Sequence, residues 1–368
     1  MVLKQEIDEK RQAIKTDSYA VSIGELISMY RAGELDIHPE FQRFYRWTPE
    51  QKSRLIESIL LGIPVPSIFV QQREDGIWDV IDGLQRLSTI FELTGDLVDE
   101  AGVKKPQLIL NETKYLPSLL GKRWGDDDDP NYLDKEQQLL IKRSKLDVTI
   151  ILRESDETSK FELFQRLNTG GSPLSDQEVR NCIMIMLNRD LYQWISKLNG
   201  DNNFRDCVAL SDKAIDEQYD MELVVRFLLF RTIPEKNLNR IGDIGDFLTD
   251  GIEKSAMFDE TYFVQEEKAF RYTFELLANT LGENSFSRYS HEKSKFIGGF
   301  LVSAFEAVAL GLGANYELYY DGATVPDIED KVKEIWQDPV FLKGIGSGVS
   351  ASRRVPITIP LGRQYFQK

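Results

Sequence analysis

The sequence contains few of the residues that build metal centres and disulfide frameworks. Its 368 residues include two cysteines, Cys182 and Cys207, and two histidines, His38 and His291. Two thiols cannot form a disulfide framework or a four-thiolate zinc site. Two histidines do not supply a histidine-rich metal site or a His-Asn-His nuclease centre. The composition therefore argues against both classes of site within this chain.

The sequence also has little that would direct it to a membrane. Its first segment, MVLKQEIDEKRQAIK, is too charged for a secretory signal. One mostly apolar stretch, Phe296 to Ala314, contains Glu306 and four glycines, which favours a buried helix over a membrane span. We therefore expect a soluble, cytoplasmic protein with no membrane partner.

Basic residues are outnumbered by acidic ones, 45 against 60, which gives a net charge of −15. Such a surface repels phosphate backbones, so we do not expect nonspecific coating of nucleic acid. The segment from Phe41 to Arg54 is an exception, because it carries four cations against Glu50 alone. This basic segment is either a solvated face or part of a binding surface, and the sequence leaves both interpretations open.

The pattern of helix and strand signals changes along the chain. Residues 1–155 alternate short strands and helices, whereas residues 156–368 are mainly helical in period. We therefore predict an α+β protein, with a small mixed-sheet domain over residues 1–155 and a mainly helical domain over residues 156–368. Val355 to Ile359 is a candidate last strand, which Pro356 and Pro360 disfavour.

Local signals predict several elements of the first domain. Thr48 to Gln51 has a capping residue, a proline and a glutamine in the order that opens a helix. Ser67 to Gln72 and Ile77 to Ile81 are predicted strands joined by a tight turn. Leu84 to Leu93 is a predicted helix that a following glycine ends.

The most informative segment runs from Asp79 to Leu87 and has the signals of a strand, a tight turn and a helix. Gly83 permits a backbone conformation that a side chain would block, and the new helix offers N–H groups and a positive dipole end to an anion. Arg86 could form a forked contact with a phosphate. Asp82 could hold Mg²⁺ beside that phosphate, and Gln85 could orient a water molecule.

The same residues also fit a structural role. Asp82 and Gln85 have the spacing of a capping box, in which each would satisfy a free backbone amide at the start of the helix. Arg86 could pair with Asp79 or with Asp82. Spacing alone leaves the two roles open.

Two other segments combine residue types that suit a ligand. From Ile37 to Trp47, aromatic residues alternate with arginine and glutamine, which can grip a nucleotide or pack as a hydrophobic plug. From Phe164 to Ser175, a Gly-Gly turn separates a helix end from a helix start. That turn either presents backbone N–H groups and Asn168 to a ligand or is only a corner between two helices, with Gly170 as the C-terminal cap of the first helix.

In order and spacing, the three segments together resemble a known family. They read P-x-F-Q-R-x-Y-x-W, D-G-x-Q-R-L-S-T-I and F-x-R-L-N-T-G-G-x-P-L-S-x-Q-E-V-R-N. This set is similar to the ParB/sulfiredoxin-like N-terminal domain of GmrSD-type restriction systems. The residues that carry the resemblance are Pro39, Phe41, Gln42, Arg43, Tyr45, Trp47, Asp82, Gly83, Gln85, Arg86, Leu87, Thr89, Phe164, Leu167, Asn168, Gly170, Gly171, Pro173, Leu174, Glu178 and Asn181.

The resemblance implies a ParB-like α/β core with an attached helical region. It also implies nucleotide binding, and in several members hydrolysis, at the Asp-Gly-x-Gln-Arg turn, in systems that defend bacteria and archaea against foreign or modified DNA. By that resemblance Asp82, Gln85 and Arg86 are catalytic, and Asp82 is the Mg²⁺ ligand. The nucleotide-binding residues would be Gln42, Arg43, Gly83, Arg86, Asn168 and Gly170.

We therefore predict a nucleotide-binding, Mg²⁺-dependent, NTP-hydrolysing component of a DNA-restriction or phage-defence system. Leu84 stands where the family commonly has a second glutamine, which keeps open a non-catalytic adaptor that responds to nucleotide or DNA. A metal-dependent ParB-like nuclease that uses Asp82 is the third hypothesis. The expected partners are an NTP, DNA and a partner nuclease subunit, and the sequence is compatible with a homo-oligomer.

Overall fold

The computed structural model describes residues 15–37, 47–99, 102–125, 129–153, 155, 175–255, 257–320, 328–346 and 348–367. The chain divides into two units, Met1–Pro173 and Leu174–Lys368. The predicted domain boundary after residue 155 falls beside residues 156–174, which lie outside the described ranges, so its position stays a prediction.

A mixed sheet flanked by helices forms the described part of the first unit. Its elements are β1 (Thr16–Ser22), α1 (Ile23–Ala32), β2 (Leu35–Asp36), α2 (Pro49–Leu60), β3 (Ile68–Gln72), β4 (Trp78–Asp82), α3 (Leu84–Thr94), a 3₁₀ turn (Pro117–Leu119), α4 (Lys135–Arg143) and β5 (Lys145–Ile151). The strand order is β1-β5-β3-β4-β2. Strands β1 and β5 are antiparallel, as are β3 and β4, whereas β5 runs parallel to β3 and β4 parallel to β2.

Capping residues fix where the helices of this unit begin and end. Helix α2 begins after Thr48 with a complete capping box, in which the Gln51 side chain accepts from the Thr48 amide, as predicted. Helix α1 begins after Ser22, whose hydroxyl accepts from the Glu25 amide. Helices α1 and α3 both end at a glycine with positive φ, Gly33 and Gly95.

The core of the first unit lies between the sheet and the helices that cover it. Val70 from β3 and Leu87 and Phe91 from α3 are completely buried. The Phe91 ring also stacks on Tyr30 of α1, with centroids 4.1 Å apart. Burying one such side chain contributes about 2 kcal/mol, so helix α3 is firmly held against the sheet.

The second unit is mainly helical, as predicted. Its helices are α5 (Asp176–Leu187), α6 (Arg189–Asn199), α7 (Asn202–Val208), α8 (Asp212–Asp216), α9 (Tyr219–Phe230), α10 (Glu235–Leu238), α11 (Ile244–Ser255), α12 (Glu260–Thr280), α13 (Val302–Ala314), α14 (Glu317–Tyr320), α15 (Ile328–Ile335), α16 (Pro339–Gly344) and α17 (Ala351–Tyr365). A small hairpin of β6 (Arg288–Ser290) and β7 (Lys295–Ile297) interrupts them. The α+β class is therefore confirmed.

Helix α13 runs through the centre of the second unit. Eleven of its residues are buried, which confirms the predicted buried helix for Val302–Ala314. The first residues of the apolar stretch differ from the prediction, because Phe296 and Ile297 lie in the hairpin strand β7. It crosses α17 so closely that a Cβ added to Gly311 would lie 2.5 Å from the carbonyl carbon of Gly362. No helix of the described residues is both long and apolar enough to cross a membrane.

The predicted strand from Val355 to Ile359 is wrong, because these residues lie within helix α17. Pro356 and Pro360 are both inside that helix. The residues that face the core, Val355, Thr358 and Ile359, are buried at helical spacing. Packing on α13 therefore outweighs the cost of two missing backbone hydrogen bonds.

Candidate functional site

The candidate site is the turn from strand β4 into helix α3. Gly83 makes this turn with φ 106°, and it is the N-cap of α3. A Cβ on Gly83 would lie 2.9 Å from Cγ1 of Ile68, which is closer than side chains approach. Glycine is therefore required here both by its backbone angle and by the close approach of β3.

Arg86 fastens this turn to the chain before β3. Its Nη1 donates to the carbonyl oxygens of Pro66 (2.6 Å) and Ser67 (3.1 Å), and its Nη2 donates to Oδ2 of Asp82 (2.8 Å). Arg86 is 9% exposed. A guanidinium has five N–H donors, and these contacts with described residues use three of them.

The structure decides between the two partners considered for Arg86. Asp79 belongs to a separate ion pair, in which Nε of Arg73 donates to its Oδ1 at 2.6 Å. Nη2 of the same Arg73 donates to Asp36 on β2 at 2.6 Å. Arg86 therefore pairs with Asp82, whereas Asp79 pairs with Arg73.

Asp82 is held in place without being enclosed. Its side chain is 32% exposed, and one oxygen, Oδ2, accepts from Arg86. Because Gly83 occupies the N-cap, the Asp82–Gln85 capping box considered as an alternative is not the start of this helix. The carboxylate is oriented by an arginine and still reaches solvent, which suits an oxygen ligand.

The first sequence segment meets this turn at its end. The backbone N–H of Trp47 donates to Oε1 of Gln85 at 3.3 Å. Five residues later, Nζ of Lys52 on α2 lies 2.7 Å from Oε2 of Glu92 on α3. The end of the first segment therefore contacts Gln85. Lys52, one of the four cations of the basic segment, is paired with Glu92.

Four of the predicted nucleotide-binding residues lie outside the described residues. They are Gln42, Arg43, Asn168 and Gly170. The described part of the prediction, Asp82, Gly83, Gln85 and Arg86, is contiguous at the β4–α3 turn. Their roles towards a nucleotide stay predictions.

Asp82 is the carboxylate that the turn could offer to a metal ion. No group of three or more His, Cys, Asp or Glu side chains arranged for a metal occurs among the described residues. Mg²⁺ is commonly held by one or two carboxylates together with substrate phosphates and waters. Asp82 alone therefore fits an ion that arrives with a nucleotide rather than a resident metal.

The second unit contains a buried network of charges that was not predicted from the sequence. Its members alternate in sign across four helices: Arg180 (α5), Glu222 and Arg226 (α9), Glu306 (α13) and Arg354 (α17). The Arg354 guanidinium contacts both oxygens of Glu306 at 2.8 Å. Only the i,i+4 spacing of Glu222 and Arg226 was visible in the sequence, because the other contacts join distant helices.

The third sequence segment ends in this network. Ser175 forms a capping box of α5 with Glu178, which confirms the helix start predicted after the Gly-Gly turn. Arg180 is 1% exposed, and burial lowers its pKa although Glu222 lies beside it. Burial also raises the pKa of Tyr219, at the start of α9. The described residues that close this segment therefore anchor the helical unit.

The described part of the first unit is a mixed-sheet domain with an Asp-Gly-x-Gln-Arg turn between strand β4 and helix α3. Residues 23–185 match a family model, the N-terminal domain of the GmrSD restriction endonuclease. The match spans all three segments and confirms that residues 23–185 resemble the N-terminal domain of GmrSD-type restriction systems. No curated protein matched the chain.

Proposed function

We propose that this protein is a nucleotide-binding component of a DNA-restriction or phage-defence system and that it hydrolyses an NTP with Mg²⁺. The family match over residues 23–185 supports the restriction system. The observation that supports the nucleotide is the ion pair of Asp82 and Arg86 beside the N-terminus of α3. Together they offer a carboxylate, guanidinium donors and helix N–H groups at one turn.

In this proposal each residue has a separate task. Arg86 directs guanidinium donors at a phosphate while three others hold the turn. Asp82 contributes an oxygen to the Mg²⁺ that accompanies the nucleotide, an ion that neutralises charge on the phosphates. Gly83 lets the backbone come close to the ligand. Gln42, Arg43, Asn168 and Gly170 complete the proposed site by resemblance.

The test is nucleotide binding and phosphate release by the purified full chain with four NTPs and Mg²⁺. Asp82→Asn keeps the size of the side chain and its acceptor for Arg86 but removes the charge. Asp79→Asn, three residues earlier and also bound by an arginine, is the matched control. We expect turnover to fall at least about 100-fold in Asp82→Asn and to stay within about twofold in Asp79→Asn. Equal turnover in both variants would refute the role of Asp82.

The position of Gln85 favours a second candidate, a nucleotide-responsive adaptor without turnover. Oε1 of Gln85 accepts from the Trp47 amide, which commits one of its two lone pairs to the end of the first segment. A glutamine used in this way would couple ligand binding at the turn to the first segment. Saturable binding of an NTP without phosphate release would support this function, and turnover would exclude it.

A metal-dependent nuclease that uses Asp82 remains the third proposal. It would need further oxygen ligands beside Asp82, since a lone carboxylate seldom holds the metal ions of such enzymes. Incubating the chain with plasmid and Mg²⁺ or Mn²⁺ tests it, with Asp82→Asn as the control. Nicking by the wild type but not by Asp82→Asn would support this proposal.

A further inference from the structure

The last part of the chain differs in charge from everything before it. Residues 339–368 contain five basic residues and no aspartate or glutamate, whereas residues 1–338 contain 60 acidic and 40 basic residues. Of the five, Arg354 is paired with Glu306. Arg363 donates to three backbone carbonyls. Apart from Arg354 and Arg363, the basic residues of this part that the structure describes are Lys343 and Arg353.

Both of these cations line one groove between helices α16 and α17. The groove has a volume of about 590 Å³. Its other lining residues are apolar: Pro339, Val340, Gly344, Val349 and Ile357. Val340 is 58% exposed, so more than half of this apolar side chain is in contact with solvent. The groove therefore offers apolar contacts at its floor and positive charge beside them.

Neither Lys343 nor Arg353 has an ion pair or a side-chain hydrogen bond to any described residue. Both are exposed. Several other arginines of this unit form ion pairs, as Arg180 does with Glu222 and Arg271 with Asp201. The groove therefore presents two uncompensated positive charges on a protein with a net charge of −15.

We propose that this groove, defined by Pro339, Val340, Lys343, Gly344, Val349, Arg353 and Ile357, docks an acidic peptide segment of a partner protein. Apolar side chains of that segment pack on Val340 and Ile357. Its carboxylates pair with Lys343 and Arg353. Such a partner complements both the floor and the rim of the groove, and the opposite charges give specificity and a faster encounter.

A nucleic acid fits the same groove less well. Two free cations would neutralise about two phosphates, which gives weak and strongly salt-dependent binding. The five apolar lining residues would have no complement in a phosphate backbone. The net charge of the whole chain, −15, also repels nucleic acid. The observations therefore favour a protein partner.

Selection from a phage-displayed library of random dodecapeptides on the immobilised full chain tests the proposal. We expect enriched sequences that combine acidic and apolar residues. The most enriched peptide, synthesised with a fluorescent label, should bind at least about tenfold more weakly to Lys343→Glu/Arg353→Glu. Val340→Asp should also weaken it, and this variant should still fold because an acidic residue suits the first turn of a helix.

Lys293→Glu/Lys295→Glu is the matched control, because it makes the same change of charge at two exposed lysines of the second unit. Peptide binding should stay within about twofold in this control. The proposal is overturned if no acidic consensus is enriched, or if both double variants lose the peptide equally. It is also overturned if labelled duplex or single-stranded DNA binds the chain and displaces the peptide. Circular dichroism of each variant confirms that it is folded.

Discussion

Nη2 of Arg86 on helix α3 lies 2.8 Å from Oδ2 of Asp82, the last residue of strand β4. The arginine also holds the carbonyls of Pro66 and Ser67, about twenty residues away. A residue expected to serve a ligand therefore also holds the turn together. Variants of Arg86 that lose activity have to be checked for folding first.

Arg86→Ala should lower the free energy of unfolding by about 2–4 kcal/mol, because it leaves buried acceptors and a carboxylate without a donor. Arg31→Ala is the control, since Arg31 forms a comparable ion pair with Asp96 but its side chain is 57% exposed. We expect less than about 1 kcal/mol for that exposed pair. Urea denaturation of both variants measures the difference. Equal losses would mean that the Arg86 contacts are weaker than their burial indicates.

Gly83→Ala should destabilise the protein through two separate effects. The first is the positive φ, and the second is the contact of the new Cβ with Ile68 at 2.9 Å. Gly76→Ala isolates the first effect, because Gly76 has φ 88° and no atom near its added Cβ. We expect the free energy of unfolding to fall by about 1 kcal/mol in Gly76→Ala and by about 2–4 kcal/mol in Gly83→Ala. Thermal or urea unfolding measures both, and similar values would show that β3 yields to the methyl group.

Glu57 should make stability depend on pH at the acidic end. Burial raises the pKa of Glu57, but hydrogen bonds from Thr113 and from the amides of Tyr115 and Leu116 outweigh burial, so the pKa lies below its ordinary value of 4.5. Folding therefore favours the charged form. Its contribution is complete above the unfolded-state pKa and is lost as the pH falls through the lower pKa of the folded state.

Urea denaturation between pH 3 and pH 7 measures this dependence. In Glu57→Gln the free energy of unfolding should fall less steeply below about pH 4.5 than in the wild type. Glu136→Gln, at an exposed position of α4, is the control and should follow the wild type. A wild-type slope in Glu57→Gln would show that other carboxylates carry the effect.

Glu222→Gln should strongly destabilise the second unit. Glu222 accepts from Arg180 and Arg226, both nearly completely buried, so its neutralisation leaves two arginines short of negative charge. Breaking a buried ion pair costs about 3–5 kcal/mol. Glu217→Gln, which removes an exposed pair with Lys213, should cost less than about 1 kcal/mol. Calorimetry of both variants provides the test, and a small loss in Glu222→Gln would contradict the prediction.

Features governed by neighbours in sequence could be predicted. The Thr48 cap, the hairpin of β3 and β4 and the glycine turn at Gly83 all depend on residues a few positions apart, so their sequence signals were sufficient. Asp82, Gly83, Gln85 and Arg86 were placed together for the same reason. The sequence alone thus located the described part of the candidate site.

Features that depend on distant contacts could not be predicted. The carbonyls that Arg86 binds belong to a loop before another strand, and backbone acceptors leave no signal in residue types. The helix through Pro356 and Pro360 forms because α13 packs on it, and local preference points the other way. The ion network across α5, α9, α13 and α17 likewise needs the tertiary fold to bring its members together.

The position of β5 in the sheet has a consequence for biosynthesis. Strand β5 is the last described strand of the first unit in sequence, yet it lies between β1 and β3. Until Lys145–Ile151 has left the ribosome, β1 has no neighbouring strand and β3 has one open edge. The sheet therefore closes only after translation of the whole unit, and such long-range pairing slows folding. During that interval the nascent chain exposes unpaired strand edges, a kind of surface that is prone to aggregation.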